Sequence, residues 1–148
     1  MIFTLEKLTD SIAGVLKMLY PDIPVYSNPS QQGTTVPCFF VFFMPVETEN
    51  QIGRRFMRNI GIDVVYLVEK NDPDAYDRMT AAADALDCTL EFIPYEKEKL
   101  RTFDREWKID DGELHYQFAI KAMVSYADET PYMKSADYEG GIKNGEDE

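Results

Sequence analysis

Pro37-Cys38-Phe39-Phe40-Val41-Phe42-Phe43-Met44-Pro45, followed after a polar bridge by Ile60-Gly61-Ile62-Asp63-Val64-Val65-Tyr66-Leu67-Val68, is the part of this chain that decides its fold. Both runs are strand signals. The first is apolar at odd and even positions alike, so both of its faces need cover. A small domain covers one face with its own helices. What covers the other is a question about partners, and therefore about function. The bridge carries Arg54, Arg55 and Arg58 in a chain whose net charge is -12.

Working outward, the segment from Arg54 to Glu69 alternates. Phe56, Ile60, Ile62, Val64, Tyr66 and Val68 share one face, and Arg55, Met57, Asn59, Asp63 and Glu69 the other, with Val65 and Leu67 as apolar exceptions that mark a more fully buried end. Pro45 to Gly53 reads as a polar connection. Upstream, Leu5, Leu8, Ile12, Leu16 and Leu19 recur at helical spacing, with Thr4 placed to cap and Pro21 to stop the helix. Ile23 to Tyr26 has the character of a short strand, and Ser27 to Val36 that of a loop rich in turn formers.

Downstream, Asn71-Asp72-Pro73-Asp74 starts a second helix whose stripe is Met79, Ala83, Leu86 and Leu90 and which Pro94 ends near Phe92. Lys99 to Ile109 and Glu113 to Tyr126 are strands joined by Asp110-Asp111-Gly112, a hairpin turn signal. Phe103, Trp107 and Ile109 form the apolar face of the first. Leu114, Tyr116, Phe118, Ile120, Val124 and Tyr126 form that of the second, with His115, Gln117, Lys121 and Ser125 opposite. The pattern predicts an α+β single domain over 1–127. Its sheet is mostly antiparallel with four to five strands, and two helices pack on one face in the order α-β-β-β-α-β-β. Residues 128–148 carry seven acids and two lysines, have no periodicity, and read as an acidic extension that is disordered on its own.

The 148 residues suit one domain, which buries roughly 68–70% of its unfolded surface. The longest apolar run falls far short of the ~20 residues that span a bilayer, and no signal peptide or membrane anchor is read. Cys38 and Cys88 are too few for a disulfide framework and read as buried free thiols, suited to a reducing cytoplasm. The excess of 27 acids over 15 bases opposes nonspecific nucleic-acid binding.

Little in the chain points to catalysis. The single histidine, His115, lies on the polar face of a strand and reads as a surface or interface residue. With no second histidine and no suitable cysteine spacing, no metal site is assigned. Asp72, Asp74 and Asp77 suit a helix start, where the dipole favours acids. Asp110-Asp111-Gly112-Glu113 lacks the ligand spacing of a calcium loop. No phosphate-binding glycine loop and no nucleophile elbow are present, so no catalytic or cofactor-binding residue is assigned. The three arginines suit either a solvated strand end or an interface with acidic surface on another subunit.

Several of these segments form an ordered series. Tyr20-Pro21-Asp22-Ile23-Pro24-Val25-Tyr26 precedes Gln32-Gly33 and Pro37-Cys38-Phe39-Phe40-Val41. Arg54-Arg55-Phe56 with Arg58, then Ile62-Asp63-Val64-Val65-Tyr66, and finally Asp111-Gly112-Glu113-Leu114-His115-Tyr116 follow. In order and spacing the series resembles the tail-terminator-like proteins of long-tailed bacteriophages and prophages of Gram-positive bacteria, over roughly Leu5 to Tyr126.

The resemblance implies a structural protein of the virion neck. Such proteins form a ring, typically a hexamer, at the head-proximal end of the tail tube. The ring stops tube growth and meets the head connector. The implied partners are further copies of the chain, the tail tube protein, a connector or neck protein, and a sheath protein where the tail is contractile. DNA would only pass through the lumen. The chain would be made in the host cytoplasm and reside in the virion. Arg54, Arg55, Arg58, Phe39, Val41, Phe43 and His115 become the interface candidates. Another head-completion or neck protein, or a small enzyme or binding domain, stays open as an alternative.

Overall fold

A computed structural model describes residues 3–27 and 35–125. The first helix, α1, spans Leu5–Leu19. Thr4 Oγ1 accepts from the Lys7 backbone N–H at 3.1 Å, the capping bond expected of that residue. Leu8, Ile12, Val15 and Leu16 form its buried stripe. The strands β1 (Val25–Tyr26), β2 (Cys38–Gln51) and β3 (Arg55–Leu67) follow, then helix α2 (Ala75–Thr89), then β4 (Phe92–Tyr95), β5 (Glu98–Asp110) and β6 (Glu113–Ser125). The strands form one six-stranded sheet in the order β1-β2-β3-β6-β5-β4. Both helices pack on one face of it, where Phe39, Ile62, Val64, Tyr116 and Phe118 meet Leu8, Ile12, Met79 and Leu86 in the main core.

The α+β class and the two helices on one face agree with the sequence reading, but the strand count is higher. The order is α-β-β-β-α-β-β-β, and the sheet is mixed because β1 runs parallel to β2. The strand missed by the pattern is β4. Pro94 does not end a helix there; α2 already stops at Thr89, and Pro94 sits inside β4. This strand is the sheet edge, paired only with β5, so a residue without an N–H fits.

Of the polar connection expected over 45–53, residues 45–51 are strand and the turn is confined to 52–54. The register of β2 against β3 shifts between Phe43 and Val46, so the inward positions change from Phe39, Val41 and Phe43 to Val46, Thr48 and Asn50. Met44 lies in this bulge and packs over Gly61, where an added Cβ would come within 3.0 Å of its methyl carbon. A second bulge between Phe103 and Glu106, with Asp104 at φ 55, splits the apolar face expected for β5. Phe103 stands opposite Ala119 on the outward face, whereas Trp107 and Ile109 stand opposite the inward Tyr116 and Leu114.

The hairpin at Asp111-Gly112 is as read, with both residues at positive φ (53 and 75), the backbone that Asp-Gly favours between twisted strands. Cys38 is buried as expected; Cys88 is exposed, because it falls off the α2 stripe of Met79, Ala82, Ala83 and Leu86. Tyr126 and the acidic extension over 128–148 lie outside the described residues, as does most of the loop expected over 27–36.

Candidate interaction surface on the outward sheet face

Strand alternation places two sets of side chains on β2. Phe39 and Val41 are 0% and 3% exposed in the main core, and Phe43 packs half-buried at its margin. The Phe39 ring lies 4.8 Å from Tyr66 and 5.5 Å from Tyr20. The chain's own helices therefore cover this face. The face that the helices do not cover is the one bearing Cys38, Phe40 and Phe42.

That outward face has its own small cluster. Cys38, Phe40 and Val65 are buried, flanked by half-buried Tyr26, Phe42 and Leu67. The Phe40 ring stacks on Phe42 at 5.5 Å and leans against Tyr26 at the same distance. Burial pushes the Cys38 thiol up, which keeps it protonated and unfit as a nucleophile.

Cross-strand register continues each row onto β6 and β5. Phe40 is level with Val65, His115 and Lys108, and Phe42 with Asp63, Gln117 and Glu106. Cys38 is level with Leu67, Glu113 and Asp110. The apolar half of the face thus gives way, across one strand, to a polar half with four carboxylates and one lysine. Where the halves meet is a shallow groove of about 420 Å³, lined by Phe40, Phe42 and Leu67 on one side and Asp63, His115 and Glu113 on the other.

The polar members hold one another. His115 Nδ1 lies 3.0 Å from Asp63 Oδ2, and its Nε2 lies 3.4 Å from Glu113 Oε1. Asp63 Oδ1 is shielded from solvent and has no hydrogen-bond partner among the described residues. An acceptor left in that condition costs about 1–3 kcal/mol. The sequence placed Asp63 and His115 on outward faces but gave no register to pair them across 52 positions.

The arginines lie at the far end of the same sheet. Beyond the bulge, every residue from Glu47 to Arg55 is exposed on the β2–β3 hairpin. Arg54 is not on a strand face: it occupies the turn at φ 61, beside Gly53 at φ 82. Arg55 Nε donates to the Ile52 carbonyl at 3.1 Å, and Ile52 at the tip is 89% exposed. Arg58 faces inward, with its guanidinium 5.9 Å from the centre of the Phe3 ring. Hence Arg58 packs against its own chain, while Arg54 and Arg55 mark an exposed tip. Ile52 went unnoticed because a lone apolar residue in a polar stretch gives no periodic signal.

The acids at the second helix have local roles. Asp72 Oδ1 accepts from the Asp74 backbone N–H at 2.9 Å, and Oδ2 accepts from Arg78 Nε at 2.6 Å. That backbone bond, with Arg78 assisting, holds the Asp72 carboxyl below its usual range. Among the described residues no group of three or more His, Cys, Asp or Glu side chains is arranged to hold a metal ion, and no helix is long and apolar enough to cross a membrane.

Residues 7–132 match the model of a family described as phage tail terminator protein. No curated protein matches. Among solved structures, one chain from the virion of a native gene transfer agent particle is 14% identical with a TM-score of 0.46, covering 80% of this chain and 92% of that one. Another, of unstated role, is 11% identical with a TM-score of 0.41, covering 82% and 93%. Both likenesses are too distant to bear on function.

Proposed function

The chain belongs to the phage tail terminator family, a family of structural proteins of the phage tail, and from that premise we propose that it forms a ring of identical subunits closing the head-proximal end of the tail tube. The ring stops tube polymerisation and presents a surface to the head connector or neck. Six subunits is the number we propose, with tail tube protein on one side, the connector on the other, and DNA passing through the lumen without being bound in sequence.

The observation that supports this reading is the outward sheet face. The helices do not cover it, and β2 nevertheless stays apolar on that side, with Phe42 and Leu67 half-exposed at the rim of the cluster. A solvated antiparallel face alternates polar residues outward. An apolar outward row beside carboxylates suits a subunit contact with an apolar centre and a charged margin.

Deletion of the gene from a phage or prophage tests the role. A terminator deletion gives overlong tails, whereas loss of a head-completion protein gives tails of normal length that stay unjoined to heads. Electron microscopy of the particles separates the two. Normal tail length together with absence of the chain from purified tails sinks the proposal.

A further inference from the structure

We propose that the ring contact is made by the β2–β3 hairpin tip of one copy, Ile52 to Arg55, seated in the outward groove of the next copy beside Phe42, Asp63 and Glu113. This rests on the ring reading above and names its interface.

Three observations converge. The tip from Ile52 to Arg55 carries one almost fully exposed apolar side chain and two positive charges, in a chain of net charge -12. Glu47 and Glu49 lie further down the arm; Glu49 Oε2 accepts from Asn59 Nδ2 at 3.4 Å. The groove offers the complement: half-buried Phe42 and Leu67, and the carboxylates of Asp63 and Glu113. A guanidinium is planar, carries five N–H donors and pairs with carboxylates bidentately, so an incoming arginine suits the accessible Glu113 carboxylate at the groove's rim. Lys108, level with His115, is the one lysine in these rows; it stands on β5, beyond His115 from the apolar half.

The third observation is distance. Tip and groove lie on the same strand, eight residues apart from Arg55 to Asp63. At the strand rise this is roughly 26 Å. A stiff paired strand holds them apart, so the tip never reaches its own groove. Any such contact joins two copies, either reciprocally as a two-fold pair or head to tail, and head-to-tail contacts build rings when the rotation closes. The ring reading takes the head-to-tail arrangement.

The test uses full-length protein in a Cys88→Ser background, which removes the exposed thiol and leaves buried Cys38. Ile52→Cys protein is mixed with Glu113→Cys protein under mild oxidation. A disulfide-linked dimer is expected in the mixture and in neither protein alone. In parallel, sedimentation velocity with and without tail tubes compares wild type with Arg54→Glu/Arg55→Glu. The double reversal is expected to weaken assembly at least tenfold with an unchanged circular dichroism spectrum. Adding Glu113→Arg to it should recover part of the loss.

If wild type forms rings while the mixture fails to cross-link and the double reversal assembles normally, the tip-and-groove contact is overturned and the ring reading stands. If wild type stays monomeric even on tail tubes, both are overturned.

Discussion

Phe39 and Phe42 sit three residues apart on one strand and should respond to truncation in opposite ways. Phe39 is fully buried between α1 and the sheet, with Tyr20 and Tyr66 ring centres at 5.5 and 4.8 Å. Burying a phenylalanine side chain contributes about 1.5–3 kcal/mol, and each well-placed aromatic pair adds about 0.5–1.5 kcal/mol. Phe39→Ala should therefore destabilise the monomer by about 3–5 kcal/mol, the range found for Phe→Ala in cores. A domain of this kind has only about 5–15 kcal/mol in all. Phe42 is half-buried on the outward face, at the rim of the Cys38, Phe40 and Val65 cluster, with its ring stacked on Phe40. Its truncation should cost the monomer about 1–2 kcal/mol or less, since part of its surface already meets water. The cost should appear instead in assembly. Urea unfolding read by circular dichroism at low protein concentration gives the first pair of values, and sedimentation gives the second. Equal monomer losses for the two variants, or normal assembly of Phe42→Ala, would refute the assignment of the two faces.

Thr102 Oγ1 lies 2.6 Å from the Leu90 carbonyl and 3.0 Å from that of Glu91, the backbone left open where α2 ends. Thr102→Val should cost about 1–3 kcal/mol in urea unfolding, because a buried acceptor loses its donor; no loss would show that the bond contributes nothing. Gly112 has open space where a side chain would be added, so Gly112→Ala should cost about 1–2 kcal/mol purely through its positive φ, whereas Asp111→Asn should be neutral by the same measurement. Tyr116 is raised well above the ordinary tyrosine range, chiefly by burial and further by its 2.6 Å bond to Asp87. Above the unfolded value near pH ~10 the unfolded chain loses this proton and the folded chain keeps it, so stability falls as pH rises, by about 1.4 kcal/mol per pH unit for one group. Burial also raises Cys38, Tyr20 and Tyr66, so the slope is shared, and Tyr116→Phe should reduce it by about one proton; an unchanged alkaline slope would contradict the shift.

What was legible in the sequence depended on whether its signal was local. The α1 stripe, the Thr4 cap, the Asp111-Gly112 turn and the alternation of β6 each lie within one element, and each was readable. β2 beyond Pro45 was not, because a hairpin arm with water on both faces has no apolar alternation to show. β4 was hidden because Pro94 signals a helix stop more strongly than an edge strand. The apolar face of β5 was read one bulge too simply: Phe103, Trp107 and Ile109 share parity, but the extra residue near Asp104 turns Phe103 outward. The interface candidates divide in the same way. That β2 is apolar on both sides is a local fact. That Phe39 and Val41 face the helices while Phe40 and Phe42 do not depends on where α1 and α2 pack, which no strand states by itself.

The outward face can be judged against itself. Level with the β2 cluster, its β6 and β5 positions carry Glu113, His115, Gln117, Glu106 and Lys108, as a solvated sheet should, while Phe103 and Met123 stand on the same face further along. Its β2 and β3 positions, one strand away, carry Cys38, Phe40, Phe42, Val65 and Leu67. Overall composition does not explain this, since the chain is acidic and has polar residues to spare. Monomer stability accounts for the covered Cys38, Phe40 and Val65 but not for apolar residues that stay half-exposed beside them. Within the cluster, Cys38, Phe40 and Val65 are already covered by their neighbours, whereas Phe42 and Leu67 form its half-exposed rim. An incoming surface therefore needs to cover only that rim and the carboxylates beside it. Such a contact is small, polar at one side and apolar at the other, and a single hairpin tip has the size and the chemistry to fill it. Modest contacts of this kind, repeated once per subunit around a closed ring, gain strength from closure, because releasing any one subunit requires two contacts to break.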